Sequence, residues 1–238
     1  LTSHPLAGSP LKAWNTTGLM IIGSPIPEPL QENGRTVQYF ERARLEDWPE
    51  HAGTKWEVQG TLLGTWLAEQ KYGKNRNHPA FAPLPEGATS DTPDRVIFGE
   101  TRHSLAYGFK NYWDKNGGLW QFGFPISEEF VEDGYTVQYF ERARFEYHPE
   151  NAGTPYEVLL GRLGAQRAAI LGLDMSPVTR QEGAPDYDES LWAPPPPRAF
   201  NISVLMYHHV GDAASRYTIP LWRFEQQLDW LQENGYNA

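Results

Sequence analysis

Val37-Gln38-Tyr39-Phe40-Glu41-Arg42-Ala43-Arg44 returns without change one hundred residues later as Val137-Gln138-Tyr139-Phe140-Glu141-Arg142-Ala143-Arg144. Outward from this octapeptide, residues 33–64 align with 133–164 without a gap, with 20 identities in 32 positions. Upstream, Gly18, Gly23, Pro25, Ile26 and Glu28 match Gly118, Gly123, Pro125, Ile126 and Glu128. One inserted residue then brings Trp14 onto Trp113, Leu6 onto Leu105 and His4 onto His103. Agreement on this scale is a tandem duplication, and it decides how the rest of the chain is read.

Each copy carries the same local signals. Leu105, Phe109 and Tyr112 are spaced four and three apart, which predicts a short amphipathic helix with Ser104 as its N-cap. Asn116-Gly117-Gly118 stops it, and Gly123-Phe124-Pro125-Ile126 predicts a turn. Thr136 to Tyr147 alternates as a strand or bent hairpin, with Val137, Tyr139, Ala143, Phe145 and Tyr147 on one face. A second helix is expected over 155–171, carrying Val158, Leu159, Leu163 and Ile170. The fold class is therefore α+β: two tandem small modules at 1–72 and 100–181, each with short helices and a β-hairpin.

On this reading Glu141 falls on the apolar face, as Glu41 does, and burying an unpaired charge there is very costly. Arg142 or Arg144 (Arg42 or Arg44 in the first copy) supplies the counter-charge, so these six residues read as structural ion pairs repeated with the fold. A Glu141 buried against Arg makes Glu141→Gln cost about 3–5 kcal/mol. His4 and His103 recur with the unit and read as loop-orienting residues. Trp14 and Trp113 occupy equivalent positions and read as core. Trp48 and Trp120 lack a Trp at the matching position and are freer to lie on the surface, where a ring can stack on a sugar.

Two resemblances follow from these residues. Trp-x-x-x-x-Gly-Gly-Leu, Phe-Gly-Phe-Pro-Ile and Val-Gln-Tyr-Phe-Glu-Arg-Ala-Arg-Phe-Glu resemble repeats of secreted and cell-surface proteins of Chloroflexi-type bacteria. Gly123-Phe124-Pro125 also resembles the LGFP cell-wall repeat, from which Gly23-Ser24-Pro25 departs. The resemblance implies an extracellular, non-catalytic module beside the cell envelope.

Residues 73–99 form a connector rich in Pro and Gly. Residues 182–199 form a linker around Pro194-Pro195-Pro196-Pro197, whose run of prolines favours a semi-rigid extended helix. Beyond it, Ile202 to Tyr207 reads as a buried strand, and Leu221, Phe224, Leu228 and Leu231 as a helix opened by Pro220. Val-Leu-Met-Tyr-His-His-Val at 204–210 and Phe-x-x-Gln-Leu-x-Trp-Leu at 224–231 resemble the opening of a polysaccharide deacetylase of the NodB type. Residues 200–238 are thus expected to be the incomplete start of a (β/α) barrel, with His208 and His209 as candidates to line a substrate site. The resemblance implies a divalent metal, Zn or similar, held in that family by an Asp of a Thr-Phe-Asp-Asp-Gly motif and by two His spaced as His-x-x-x-His. This sequence has neither, so no cofactor and no catalytic residue is expected in it, and a metal is implied only for a complete deacetylase domain beyond Ala238.

Composition limits the partners. Thirty acidic against 20 basic residues give a formal charge of −10, which lacks the basic surface that releases counterions from nucleic acid. No apolar run is long enough to span a bilayer. Cysteine is absent, which excludes disulfides and thiolate chemistry. The leading expectation is a non-catalytic repeat region that attaches a deacetylase-like protein to envelope or matrix polysaccharide. The alternative is a self-associating structural subunit, since strand edges can pair between copies.

Overall fold

A computed structural model describes His4, Leu6 and residues 8–90, 92–179, 209–210 and 218–219. The chain divides into two units, Leu1–Trp192 and Ala193–Ala238. In the first, the chain enters through α1 (Gly8–Thr17) and α2 (Leu19–Ile22), then builds β1 (Leu30–Glu32), β2 (Arg35–Tyr39), β3 (Arg44–Asp47) and β4 (Val58–Gly60). These four strands pair antiparallel in sequence order. Helix α3 (Leu63–Tyr72) follows, then the hairpin β5 (Arg95–Phe98) and β6 (His103–Ala106). Helices α4 (Tyr107–Lys115) and α5 (Gly118–Phe122) lead into β7 (Phe130–Glu132), β8 (Tyr135–Tyr139), β9 (Arg144–Tyr147) and β10 (Val158–Leu160), a second antiparallel sheet in the same order, and α6 (Leu163–Ile170) closes it. The architecture is mixed α and β. In the second unit, β11 (His209–Val210) pairs parallel with β12 (Thr218–Ile219).

Turn chemistry sets the first hairpin of each sheet. Asn33-Gly34 and Asp133-Gly134 both take positive φ, 52° and 78° in one case and 53° and 88° in the other. Two consecutive left-handed residues match the twist of the flanking strands, which is why Asn-Gly and Asp-Gly favour two-residue hairpins. The second hairpin turns through Phe140-Glu141-Arg142-Ala143, with the Phe140 amide donating to the Ala143 carbonyl at 2.8 Å. That corner resets the alternation. Gln138 lies opposite Phe145 and Tyr139 opposite Arg144, so Tyr139 and Phe145 project to opposite faces. Val137 and Tyr139 join one core cluster, while Ala143, Phe145 and Tyr147 pack in another. The single apolar face expected from the sequence is therefore two faces, and Glu141 sits in the corner.

Three other expectations are corrected. The region 155–171 is strand β10, which pairs with β9, followed after Gly161 by the shorter α6 that begins only at Leu163. Ser104 does not cap a helix; it lies in β6, where its amide and hydroxyl donate to Glu128. The stretch 73–99 is also more than a connector. Ala80 and Phe81 are buried, the Ala80 carbonyl accepts from Glu128 N–H at 2.7 Å, and β5 pairs with β6. The Pro-rich run, the expected strand at 202–207 and the expected helix from Pro220 lie outside the described residues.

The two copies exchange their last helices. Leu67 and Ala68 of α3 pack with Ile126, Val137 and Tyr139, all from the second copy. Ala168 of α6 packs with Ile26, Val37 and Tyr39 of the first. The hydrogen bonds are reciprocal: Thr65 N–H donates to the Glu141 carbonyl at 3.0 Å, and Ala165 N–H to the Glu41 carbonyl at 3.1 Å. Contacts of this i-to-j, j-to-i form define a two-fold relation, here within one chain. Leu63 and Leu163 are both fully buried together in one cluster. Gly64 and Gly164 make the approach possible, since a Cβ on either would stand 1.9 or 2.0 Å from the carbonyl oxygen of Phe140 or Phe40.

Candidate functional site

The identical octapeptide is almost wholly consumed by scaffold. Val, Tyr and Phe are core in both copies. Gln38 donates to the Pro27 carbonyl at 2.5 Å, and Gln138 to those of Ser104 and Ser127 at 2.6 and 2.8 Å, tying down buried loops. Glu41 and Glu141 accept from the Ser24 and Phe124 amides at 3.1 and 3.0 Å, holding the turns after Gly23 and Gly123. Their own-copy arginines are looser, Arg42 at 3.6 Å and Arg142 at 3.9 Å, while Arg162 reaches Glu41 at 2.9 Å. Arg44 and Arg144 do not meet these glutamates: Arg44 binds Glu32 and Glu46, and Arg144 binds Glu132 and Glu146 at 2.9 Å each. Glu141 keeps 30% of its side chain exposed, so the premise of a fully buried carboxylate does not hold. The other repeated residues are equally structural. His4 and His103 each meet a glutamate, Glu28 and Glu128, at 3.2 Å, and Trp14 and Trp113 donate their indole N–H to the Gly23 and Gly123 carbonyls.

Glu132 has the densest surroundings. Tyr72 and Lys71 of the exchanged helix, Tyr139, and Arg144 all donate to it. Burial opposes its charge, but these donors outweigh that and hold its carboxyl below the ordinary glutamate value. Burial and the Glu132 charge push the Tyr139 hydroxyl upward. Desolvation also opposes Glu128, which His103 and Ser104 nevertheless keep below its ordinary value. The Glu132 cluster clamps one copy to the other, the Glu128 cluster ties β6 to the loop before β7 within the second copy, and neither glutamate lines the cleft described next.

A cleft forms where the copies differ. Strand β4 and the loop before it supply Trp56, Val58, Gln59 and Gly60; the second copy supplies Trp120, Gln121 and Arg142; Ile22 and Leu45 form the apolar floor. The Trp56 and Trp120 rings stand edge to face, centroids 4.7 Å apart at 73°, and remain 46% and 45% exposed. The Lys55 ammonium lies 4.9 and 5.4 Å from the two ring centres. The loop that carries Trp56 is braced: Thr54 donates to the His51 carbonyl and accepts from Trp56 N–H at 3.1 Å, and Glu57 accepts from Gly53 N–H and Ser9. Arg142 Nε donates across the copies to the Gly60 carbonyl at 3.2 Å. The one-hundred-residue counterparts of Lys55, Trp56, Gln59, Trp120 and Gln121 are Pro155, Tyr156, Leu159, Met20 and Ile21. These five counterparts carry no amide and no cation, while Arg142 keeps its counterpart in Arg42, so the cleft is a one-sided elaboration of a duplicated frame.

Of the two expected stacking residues, Trp120 lines the cleft and Trp48 does not. The Arg35 guanidinium covers one face of Trp48 at 3.4 Å, and His51 stacks beside it. Trp56 was missed because its counterpart Tyr156 is also aromatic. The available signal was the loss of Lys55 and Gln59 to Pro155 and Leu159 between copies. His209 begins β11, and His208 lies outside the described residues. Among the described residues, no group of three His, Cys, Asp or Glu is placed to hold a metal ion, and no helix is long and apolar enough to cross a membrane. Comparison with models of known protein families gives no match, and comparison with characterised proteins gives none at a significant level.

Proposed function

We propose that this chain is the glycan-attaching region of an extracellular, deacetylase-like protein. In this reading the copies are two tandem envelope-repeat modules, and the segment from Phe200 opens a barrel of the deacetylase type. The observation that carries it is the exposed Trp56–Trp120 corner. Exposed aromatic rings flanked by amides present an apolar face and polar edges together, as the two sides of a pyranose ring require. Rings held by a braced loop and a short helix lose little freedom on binding. The exchanged helices support attachment over self-assembly, because each copy covers its partner's apolar face within one chain.

The test is retention of the full chain on insoluble bacterial envelope polysaccharide. Wild type is retained, and a Trp56→Ala/Trp120→Ala variant with unchanged circular dichroism passes through. Equal retention of both proteins, or none of wild type, refutes the reading.

A further inference from the structure

We infer that the saccharide seated on the Trp56–Trp120 corner carries a negative charge, received by Lys55; this rests on the glycan reading above. Lys55 is a cation in a chain of net charge −10, and among the described residues no carboxylate lies within ion-pairing distance of it. Lys12, Lys71 and Lys110 are each paired with an acid, and of Lys55, Lys74 and Lys115, which among the described residues have no such pair, it is Lys55 that stands over aromatic rings. Its ammonium is held over both rings, where cation–π attraction keeps it at the cleft. Its four-carbon stem lets it move from the ring faces to an anionic group at their edge. Lys55 stands over the rings at the rim of the cleft, whereas Arg142, the cation within the lining, is fixed by its bond to the Gly60 carbonyl. The counterpart of Lys55 is Pro155, so the charge belongs to the elaborated side alone.

The shared chemistry is an anionic group on a sugar, and a uronic carboxylate and a sugar phosphate both supply it. Calorimetric titration of the full chain with polygalacturonate, its carboxyl-reduced neutral form, and a phosphorylated mannan separates the cases. The expected result is binding to polygalacturonate, phosphomannan or both at about five-fold higher affinity than to the reduced polymer, the size of one exposed ion pair. Lys55→Gln abolishes that preference, Lys55→Arg restores it, and added salt narrows it. The preferred polymer identifies carboxylate or phosphate as the source. Equal affinity for charged and neutral polymers, unaffected by Lys55→Gln, overturns the inference and leaves the glycan reading standing. Binding to none of the three by a protein that envelope polysaccharide retains overturns only the charge assignment. Absence of both binding and retention removes the two together.

Discussion

Replacing Gly64 by Ala tests the helix exchange at its tightest point. The new Cβ would stand 1.9 Å from the Phe140 carbonyl oxygen and 2.6 Å from that of Ala143. Both are backbone atoms of the corner, so no side chain can swing away, and α3 must lift off by more than an ångström. Overpacking of this kind costs about 1–3 kcal/mol, and losing the Thr65-to-Glu141 hydrogen bond adds about 1 kcal/mol. The helix propensity of Ala returns up to about 1 kcal/mol. The net is a loss of about 1–4 kcal/mol, which in a unit of this size lowers the melting temperature by roughly 2–16 °C. Gly164→Ala, facing Phe40 at 2.0 Å, should behave alike. Gly108→Ala is the control: it lies in α4 with nothing within 4 Å of its added methyl and should be neutral or slightly stabilising. Scanning calorimetry of the three variants decides the matter. An unchanged melting temperature for Gly64→Ala and Gly164→Ala would refute the close approach, and with it the exchange.

Three other outcomes are expected. Insertion of a protease site after Glu86, in the exposed stretch before β5, followed by cleavage should leave the two fragments co-eluting on size exclusion, since each half completes the other's core; separation without denaturant would contradict the exchange. Glu132 is depressed in the folded state, so its stabilising contribution is complete above the unfolded value of 4.5 and is lost as pH falls through the lower folded value. Melting temperature should therefore fall with pH below about 4.5 more steeply in wild type than in Glu132→Gln, and parallel curves would argue against the clamp. Glu141→Gln should cost about 1 kcal/mol or less, because the amide oxygen can still accept from Phe124 N–H and only the charge assistance and the loose, partly exposed contact with Arg142 are lost; a loss of 3 kcal/mol by chemical denaturation would restore the buried ion pair.

The sequence by itself determined what depends on a few adjacent residues. Asn33-Gly34 and Asp133-Gly134 specify the tight hairpins through their tolerance of positive φ, and the recurrence of the octapeptide specifies two equivalent sheets. Strand alternation was legible only as far as the corner at 140–143, because four residues of turn reset which face each side chain takes. The pairing of α3 with the second sheet was not legible at all. Both sheets offer the same Ile, Val and Tyr surface, so local pattern cannot say whether a helix folds back on its own copy or on the other. That choice lies in the geometry of the connection and in glycines at 64 and 164 that admit a carbonyl of the opposite corner. The candidate site shares this dependence. Trp120 was identified from the difference between copies, but its partner Trp56 is 64 residues away, and only the docking of one copy against the other brings the two rings and Lys55 together.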